Sequence, residues 1–187
     1  MFHTGLRRGE ALTLRWEDID FDEGRLWVRR AAELGGASTK VPKTKRGRWM
    51  PLSGSLTAAL RTELKRQMRL RLKNYRECDW VCPSPNLMLW RERNFSRAFE
   101  RLRAKHFGLN EIRPLTLHCT RHSFITWALS AGVPTATVSA WTGVSIRVIE
   151  TTYAHVIPQV GGVDFLDRPQ TSTGRPQDRT RESGASA

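Results

Sequence analysis

The chain has 187 residues, of which 39% are hydrophobic, enough for one domain with a real core. Lysine and arginine total 31 against 18 acidic residues, and the formal net charge of +13 favours a polyanionic partner such as nucleic acid. No apolar run reaches the ~18 residues that a membrane span needs, and the first residues lack a signal-peptide core. Three cysteines without framework spacing fit a reducing compartment, so we expect a cytoplasmic, DNA-associated protein with no membrane partner.

The first third of the chain predicts one helix and a small sheet. Thr4 can N-cap a helix over residues 5–14. Residues 25–30 alternate in polarity and predict a short strand. Residues 40–52 predict two strand arms around a basic turn at Arg46 and the glycine that follows it. Together these segments predict a small antiparallel sheet.

The rest of the chain predicts helices. Apolar residues recur at helical spacing after Ser55, which can cap a long helix. Four shorter helices are predicted further along the chain, over residues 94–105, 116–131, 134–143 and 145–153. Beyond about Asp167 the polar composition predicts a disordered tail.

Breaking a DNA strand by covalent catalysis requires three kinds of group. A nucleophile attacks phosphorus, cationic donors stabilise charge on the non-bridging oxygens, and a proton donor protects the leaving 5′ oxygen. The sequence offers candidates for each of these roles.

Arg7 is the first cationic candidate. It is predicted in the first turn of a helix, where backbone N–H groups also favour an anion, and its planar fork can hold two phosphate oxygens. Glu10, three residues on, can face the same side and steady Arg7. The alternative is that Arg7 is an ordinary surface arginine.

His118 and Arg121 form the second candidate group. They are three residues apart on a predicted helix, so both can reach one phosphate. His118 and His122 also have the spacing of a metal-binding pair, but Arg121 would place a cation beside the ion and no zinc-protease glutamate is present. We therefore expect no metal, and we expect His122 and Cys119 to pack within the helix.

A lysine beside the basic turn is a candidate proton donor. Lys43 lies there and could enter the minor groove to protonate the leaving oxygen. Spacing alone does not choose between Lys43 and its basic neighbours. These neighbours could instead bind DNA phosphates: Lys40, Lys45, Arg46 and Arg48.

Tyr153 is the candidate nucleophile. It is one of only two tyrosines and stands near the end of the predicted folded part. Its hydroxyl has an ordinary pKa of about 10 and needs activation. Two arginines would stabilise the phenolate, and His118 would act as the base. The alternative is that Tyr153 is a packing residue.

In order and spacing, these motifs resemble the tyrosine recombinase family, also called the phage integrase family. The resemblance covers roughly residues 4–157. Four segments carry it: the first-arginine motif, the lysine hairpin, the His-x-x-Arg box with its following helix, and the nucleophile motif, at residues 4–10, 43–52, 117–133 and 152–156.

The resemblance implies a fold, a reaction and a set of roles. The fold would be mainly α with a small antiparallel β-sheet, like a tyrosine recombinase catalytic domain. Arg7 and Arg121 would clamp the scissile phosphate of double-stranded DNA, and Lys43, selected by the family spacing, would be the general acid. His118 would assist proton transfer at Tyr153, which would form a 3′-phosphotyrosyl bond. A free 5′-hydroxyl would then reseal the backbone with no cofactor, within a homotetramer on paired sites.

One position departs from the family pattern. The family usually has a histidine or tryptophan after the glycine of a Leu-Gly-His segment, whereas this chain has Val144 after Gly143. Valine cannot donate to a phosphate, so we expect a weaker site unless the nearby His155 or Trp141 takes its place.

A second departure concerns domain organisation. We expect residues 1–167 to be an N-terminally truncated catalytic domain and residues 168–187 a disordered basic and polar tail, with the family's separate N-terminal DNA-binding domain absent. An enzyme of site-specific recombination and integration is the favoured function. The alternatives are a prophage remnant that only binds DNA, with weak or no catalysis, and a type IB topoisomerase.

Overall fold

The computed structural model of the chain describes residues 1–32, 39–40, 47–74, 77–107 and 115–158. The described strands are β1 (Ile19–Asp20), β2 (Arg25–Val28), β3 (Ala31–Ala32), β4 (Thr39–Lys40) and β5 (Arg48–Pro51). The described α-helices are α1 (Arg8–Leu12), α2 (Gly54–Asn74), α3 (Glu92–Phe107), α4 (Leu117–Ser130), α5 (Thr135–Thr142) and α6 (Ile146–Tyr153). Two short 3₁₀ helices, Trp16–Asp18 and Ala154–Val156, lie before β1 and after α6. The predicted fold class, mainly α with a small antiparallel sheet, is confirmed.

The larger sheet has three antiparallel strands in the order β1-β2-β5. Leu26 of β2 pairs with Met50 of β5, and both are buried. Because side chains alternate along a strand, Trp27 and Trp49 pair on the opposite face, where Trp49 is exposed. The sheet therefore covers the core with one apolar face.

Most of the first arm of the predicted hairpin of residues 40–52, and its turn up to Arg46, lie outside the described residues. The second arm, β5, pairs with β2, whereas Lys40 lies in β4, which pairs with β3 in a separate two-stranded sheet. The reason is burial, since Met50 extends the apolar face that Leu26 and Val28 already present to the core.

The helix that contains the first-arginine motif begins later than predicted. Arg7, not Thr4, is the N-cap of α1, and Glu10 accepts a hydrogen bond from the Arg7 backbone N–H at 2.9 Å. Gly5 has a left-handed φ of +57°, which excludes a helix running through it. Thr4 is buried, and its hydroxyl donates to the Met1 carbonyl.

The ends of the later helices follow local sequence rules. The Thr116 side chain accepts from the Cys119 N–H at the start of α4, and Ser145 accepts from Val148 at the start of α6. Gly143 ends α5 in the left-handed conformation, with φ +67°. The helices predicted over residues 116–131, 134–143 and 145–153 are confirmed to within one residue at each end. The predicted tail, residues 168–187, lies outside the described residues.

Two hydrophobic clusters form the core of the described part. The first cluster joins the three-stranded sheet to the ends of α1 and to α2, through residues such as Leu6, Leu26 and Leu60. The second joins α4, α5 and α6 and includes Tyr153. Phe124 of α4 packs against both clusters, so α4 links the sheet to the C-terminal helices. No helix in the described part is both long and apolar enough to cross a bilayer.

Candidate active site

Arg121 is held rigidly where α4 meets the start of the chain. It is 5% exposed, and its Nη1 donates to the Gly5 carbonyl at 2.5 Å. Its Nη2 donates to the Thr142 carbonyl at 2.8 Å. A Cβ on Gly5 would lie 2.5 Å from the Phe124 ring, so only glycine fits this approach. Burial, helped by the charge of Arg7, lowers the pKa of Arg121 to about 10, and the guanidinium stays charged at neutral pH.

Arg7 is the more accessible of the two predicted clamp residues, with its side chain 50% exposed. Its Nη1 donates to Glu10 Oε1 and its Nη2 to the Gly143 carbonyl, each at 3.1 Å. The predicted role of Glu10 in steadying Arg7 agrees with these contacts. Planar guanidinium groups keep further N–H donors, so Arg7 can still bind an anion in the cleft beside it.

Arg48 does not have the position expected of a free DNA-binding cation. Its side chain is only 12% exposed and makes two hydrogen bonds to Glu10, at 3.0 and 2.7 Å. Its Nε donates to the Trp141 carbonyl at 2.7 Å. A buried carboxylate is stable only when it is paired with a cation, and Arg48 supplies that cation to Glu10. Sequence reasoning missed the pair because the two residues lie 38 positions apart.

The Glu10 carboxylate is stabilised in its charged form. Burial alone raises the pKa of Glu10, but the hydrogen bonds and charge of Arg48, followed by those of Arg7, outweigh it. The pKa of Glu10 therefore lies below its usual value, and the carboxylate stays ionised between two guanidinium groups.

A polar cleft of about 370 Å³ opens beside these residues. Arg7, Arg121 and the exposed His118 all line it. The cleft thus brings together both arginines and the histidine that the sequence predicted to share one phosphate. A neighbouring pocket of about 260 Å³ shares His118 and Arg8 with it and extends along α3.

Tyr153 ends α6 with its side chain buried, 5% exposed, in the second hydrophobic cluster. Its hydroxyl forms a hydrogen bond of 2.5 Å with His122 Nδ1. Burial raises the pKa of Tyr153, and the charge of Arg121 partly offsets this rise. The phenol is therefore protonated at neutral pH and needs a base.

His122, expected to pack within its helix, is the ring that contacts the Tyr153 hydroxyl. Burial lowers the pKa of His122, and the charges of His118 and Arg121 lower it further. The His118 ring stands edge-on to His122, with centroids 4.5 Å apart. His118, the histidine predicted to assist Tyr153, therefore contacts His122 and is separated from the Tyr153 hydroxyl by the His122 ring.

The other predicted site residues have varied outcomes. Trp141 packs its side chain against the first cluster, and Val144 packs against the second. His155 is exposed on the 3₁₀ helix after Tyr153. The backbone of Lys40 lies in β4. Three predicted basic residues lie outside the described part: Lys43, Lys45 and Arg46.

A metal centre has no support in the described part of the chain. No group of three or more histidine, cysteine, aspartate or glutamate side chains there could hold an ion. The adjacent rings of His118 and His122 stand beside the Arg121 guanidinium, whose charge opposes cation binding.

Comparison with known proteins gives consistent matches. Residues 1–159 match the phage integrase family. The chain is 32% identical over 179 residues to a "Tyrosine recombinase XerC-like" protein of Caldanaerobacter subterraneus subsp. tengcongensis, covering 84% of this chain and 44% of that protein. It is 28% identical to an "Integrase/recombinase" of Escherichia coli, covering 87% of this chain and 54% of that protein. The chain thus spans about half the length of these curated relatives.

Solved structures show the same fold at lower identity. The Tn1549 transposon integrase in complex with a circular intermediate DNA superposes with a TM-score of 0.65 at 19% identity, covering 85% of this chain and 52% of that one. The XerA recombinase superposes with a TM-score of 0.60 at 20% identity, covering 84% and 56%. The geometry described above therefore occurs on a fold that is known from recombinases.

Proposed function

The chain belongs to the phage integrase family, and we propose that it breaks and rejoins double-stranded DNA in site-specific recombination, with Tyr153 as the nucleophile. One observation carries the proposal: the Tyr153 hydroxyl is held by His122, next to the buried Arg121 that lines a cleft with Arg7. The integrase structure in complex with DNA supports duplex DNA as the substrate.

The first chemical step forms a phosphotyrosine. The Tyr153 oxygen attacks phosphorus, the bond from phosphorus to the 5′ oxygen breaks, and a 3′-phosphotyrosyl bond remains. His122 Nδ1 accepts the phenolic proton, and His118 stands beside it in the cleft to pass the proton on or donate to the phosphate. Arg7 and Arg121 stabilise the charge on the non-bridging oxygens. In this proposal Lys43 supplies the proton to the 5′ oxygen.

The second step restores the DNA backbone. The 5′-hydroxyl of another duplex gives its proton to Lys43 and attacks phosphorus, the bond from phosphorus to the Tyr153 oxygen breaks, and that oxygen regains a proton through His122. The free energy of the broken phosphodiester is kept in the phosphotyrosine, so resealing needs no nucleotide cofactor. Exchange between two duplexes requires several active sites, and a homotetramer on paired sites would supply them.

A suicide substrate tests this function directly. The substrate is a pool of nicked duplexes with randomised sequence around the nick. Cleavage close to the nick releases a short strand that carries the new 5′-hydroxyl. Because this hydroxyl diffuses away, the phosphotyrosine cannot be resealed and is trapped. We expect a covalent protein–DNA adduct that resists denaturation and disappears after protease treatment. DNA binding without any adduct would instead identify the chain as a DNA-binding module.

The pH dependence of adduct formation should report His122. Its pKa lies below the ordinary value of about 6.5 for histidine, so the ring is neutral at pH 7 and can accept the phenolic proton. As pH falls through this lowered pKa, His122 gains a proton and the single-turnover rate should fall. We expect His122→Asn to remove this acidic limb and to lower the rate at pH 7 by ~10²-fold.

A matched variant separates His122 from its neighbour. His118→Asn removes the other ring but leaves the hydrogen bond to Tyr153, so the acidic limb should persist. If the limb vanishes in His118→Asn and persists in His122→Asn, His118 is the base and the assignment of His122 is wrong.

Helix α3 offers a surface for the DNA backbone beyond the scissile phosphate. It borders the second pocket, next to His118, and Arg8 binds its Glu92 and Ser96 side chains. Four exposed cations follow one another at intervals of four residues, which places them along one side of the helix over ~18 Å. They are Arg93, Arg97, Arg101 and Lys105.

Charge reversal on α3 should weaken DNA binding without stopping chemistry. We expect the double variant Arg97→Glu and Arg101→Glu to raise the Kd for duplex DNA by ~10-fold or more and to lower the salt slope by ~2. Fluorescence anisotropy at several salt concentrations measures both. The matched control is Lys65→Glu with Arg69→Glu, an exposed pair at the same spacing on α2. Equal losses in both variants would show that the effect is only net charge.

A further inference from the structure

The carboxyl end of α5 presents three successive backbone carbonyls, and an arginine from a different segment binds each one. The pairs are Arg48 Nε with Trp141 (2.7 Å), Arg121 Nη2 with Thr142 (2.8 Å) and Arg7 Nη2 with Gly143 (3.1 Å). The last carbonyls of a helix lack intrahelical partners and carry partial negative charge, so they suit cationic donors. The end of α5 therefore aligns three guanidinium groups.

Arg48 differs from the other two arginines in what it can reach. Its side chain is mostly buried, and its guanidinium is bound to the Glu10 carboxylate and to the end of α5. Arg7, in contrast, is half exposed and lines the cleft with Arg121. The contacts of Arg48 therefore hold Glu10 and the end of α5 in place, and they leave its guanidinium poorly placed to bind a phosphate.

Glu10 connects Arg48 to Arg7. Each of its two oxygens accepts from Arg48, while Oε1 also accepts from Arg7 Nη1 and Oε2 from the Arg7 backbone N–H. Without Arg48, the buried carboxylate would keep Arg7 as its one charged partner among the described residues. Glu10 would then draw the Arg7 guanidinium inward, away from the Gly143 carbonyl and the cleft.

We propose that Arg48 is a positioning residue of this site, which holds Arg7 through Glu10 and keeps it in register with Arg121 at the end of α5. This inference rests on the proposed function of Arg7 and Arg121 in binding the scissile phosphate. In this inference Arg48 holds Arg7 in place and does not contact a DNA phosphate, which was its expected role from the sequence.

Single-turnover adduct formation tests the proposal. At saturating suicide duplex, Arg48→Met should lower the rate by ~10- to 100-fold, because misplaced donors stabilise the transition state less. The DNA concentration at half saturation should change by less than ~3-fold, since most affinity comes from other phosphate contacts. Arg48→Lys keeps a cation beside Glu10 but not the fork, so it should fold and should lose ~3- to 10-fold in rate.

Arg30 provides a matched control for lost stability. It forms an ion pair of 2.7 Å with the buried Asp18, an equivalent buried contact in a region that does not line the cleft. Arg30→Met should lower Tm as Arg48→Met does, yet leave the rate of the folded protein unchanged. Rates are compared at a temperature where circular dichroism shows every variant folded. If Arg48→Met and Arg48→Lys both react like Arg30→Met, the proposal is overturned.

A readout without DNA separates this inference from the proposed function. Carboxyl carbon NMR, with the Glu10 signal assigned through Glu10→Gln, follows the ionisation of that side chain. Loss of Arg48 should raise the pKa of Glu10 and shift the side-chain Nε–Hε signal of Arg7. Unchanged signals would contradict the positioning role. If the unaltered chain forms no adduct while these signals do shift, the function fails but the positioning contact stands.

Discussion

The variant Tyr153→Phe should form no detectable covalent adduct with a nicked duplex. Phenylalanine removes the only atom of this side chain that can attack phosphorus, and no second nucleophile contacts His122 among the described residues. The ring itself stays in the second hydrophobic cluster, so the packing of α6 against α4 should survive. Denaturing gel electrophoresis of end-labelled duplex measures the adduct, and anisotropy measures binding.

Duplex affinity should stay within ~3-fold of the unaltered chain in this variant, because the Tyr153 hydroxyl bonds to His122 and supplies none of the cationic contacts to phosphate. Tyr75→Phe, at the chain's other tyrosine, is the matched control and should retain the adduct. An adduct that persists in Tyr153→Phe would show that another residue is the nucleophile and would refute the proposed chemistry.

Local sequence signals were sufficient for the helices that carry the site. Thr116 and Ser145 cap α4 and α6 through bonds to residues three positions on, and Gly143 ends α5 through its own backbone conformation. Such features depend on a few neighbouring residues, so a single sequence reveals them. The spacing of His118 and Arg121 on α4 was predictable for the same reason.

Contacts between distant segments were not predictable in this way. The pairing of β5 with β2 depends on burial of Met50 beside Leu26, and the start of α1 depends on Gly5 fitting against Phe124. Neither partner is close in sequence, and the local pattern favoured an earlier start of the helix. The tertiary packing decided both cases.

The histidine beside the nucleophile illustrates the same limit within the site. His118 and His122 lie four residues apart on one helix, and the sequence predicted His118 as the base and His122 as a packing residue. The Tyr153 hydroxyl reaches the site from α6, 31 positions further along, and it meets His122. Only the packing of α6 against α4 selects between the two rings.

Arg121→Lys should produce the second-largest loss, in both rate and stability. The guanidinium spans from the Gly5 carbonyl to the Thr142 carbonyl with two separate nitrogens, and a single ammonium cannot reproduce that fork. One buried carbonyl would lose its donor, which should lower the free energy of unfolding by ~1–3 kcal/mol. The adduct rate should fall by ~10²- to 10³-fold, because the rigid donor beside the phosphate is lost.

The same substitution at a remote, partly buried arginine separates these two effects. Arg30→Lys changes an arginine that pairs with the buried Asp18, so it should cost stability without changing the adduct rate of the folded protein. Chemical denaturation gives the stability of each variant, and single-turnover kinetics at saturating DNA give the rate. If Arg121→Lys loses less than ~10-fold in rate, the charge alone is sufficient and the fixed fork is not what the chemistry requires. A large loss confined to Arg121→Lys would instead show that the two carbonyl contacts, which join the start of the chain to the end of α5, hold the donor that the reaction uses.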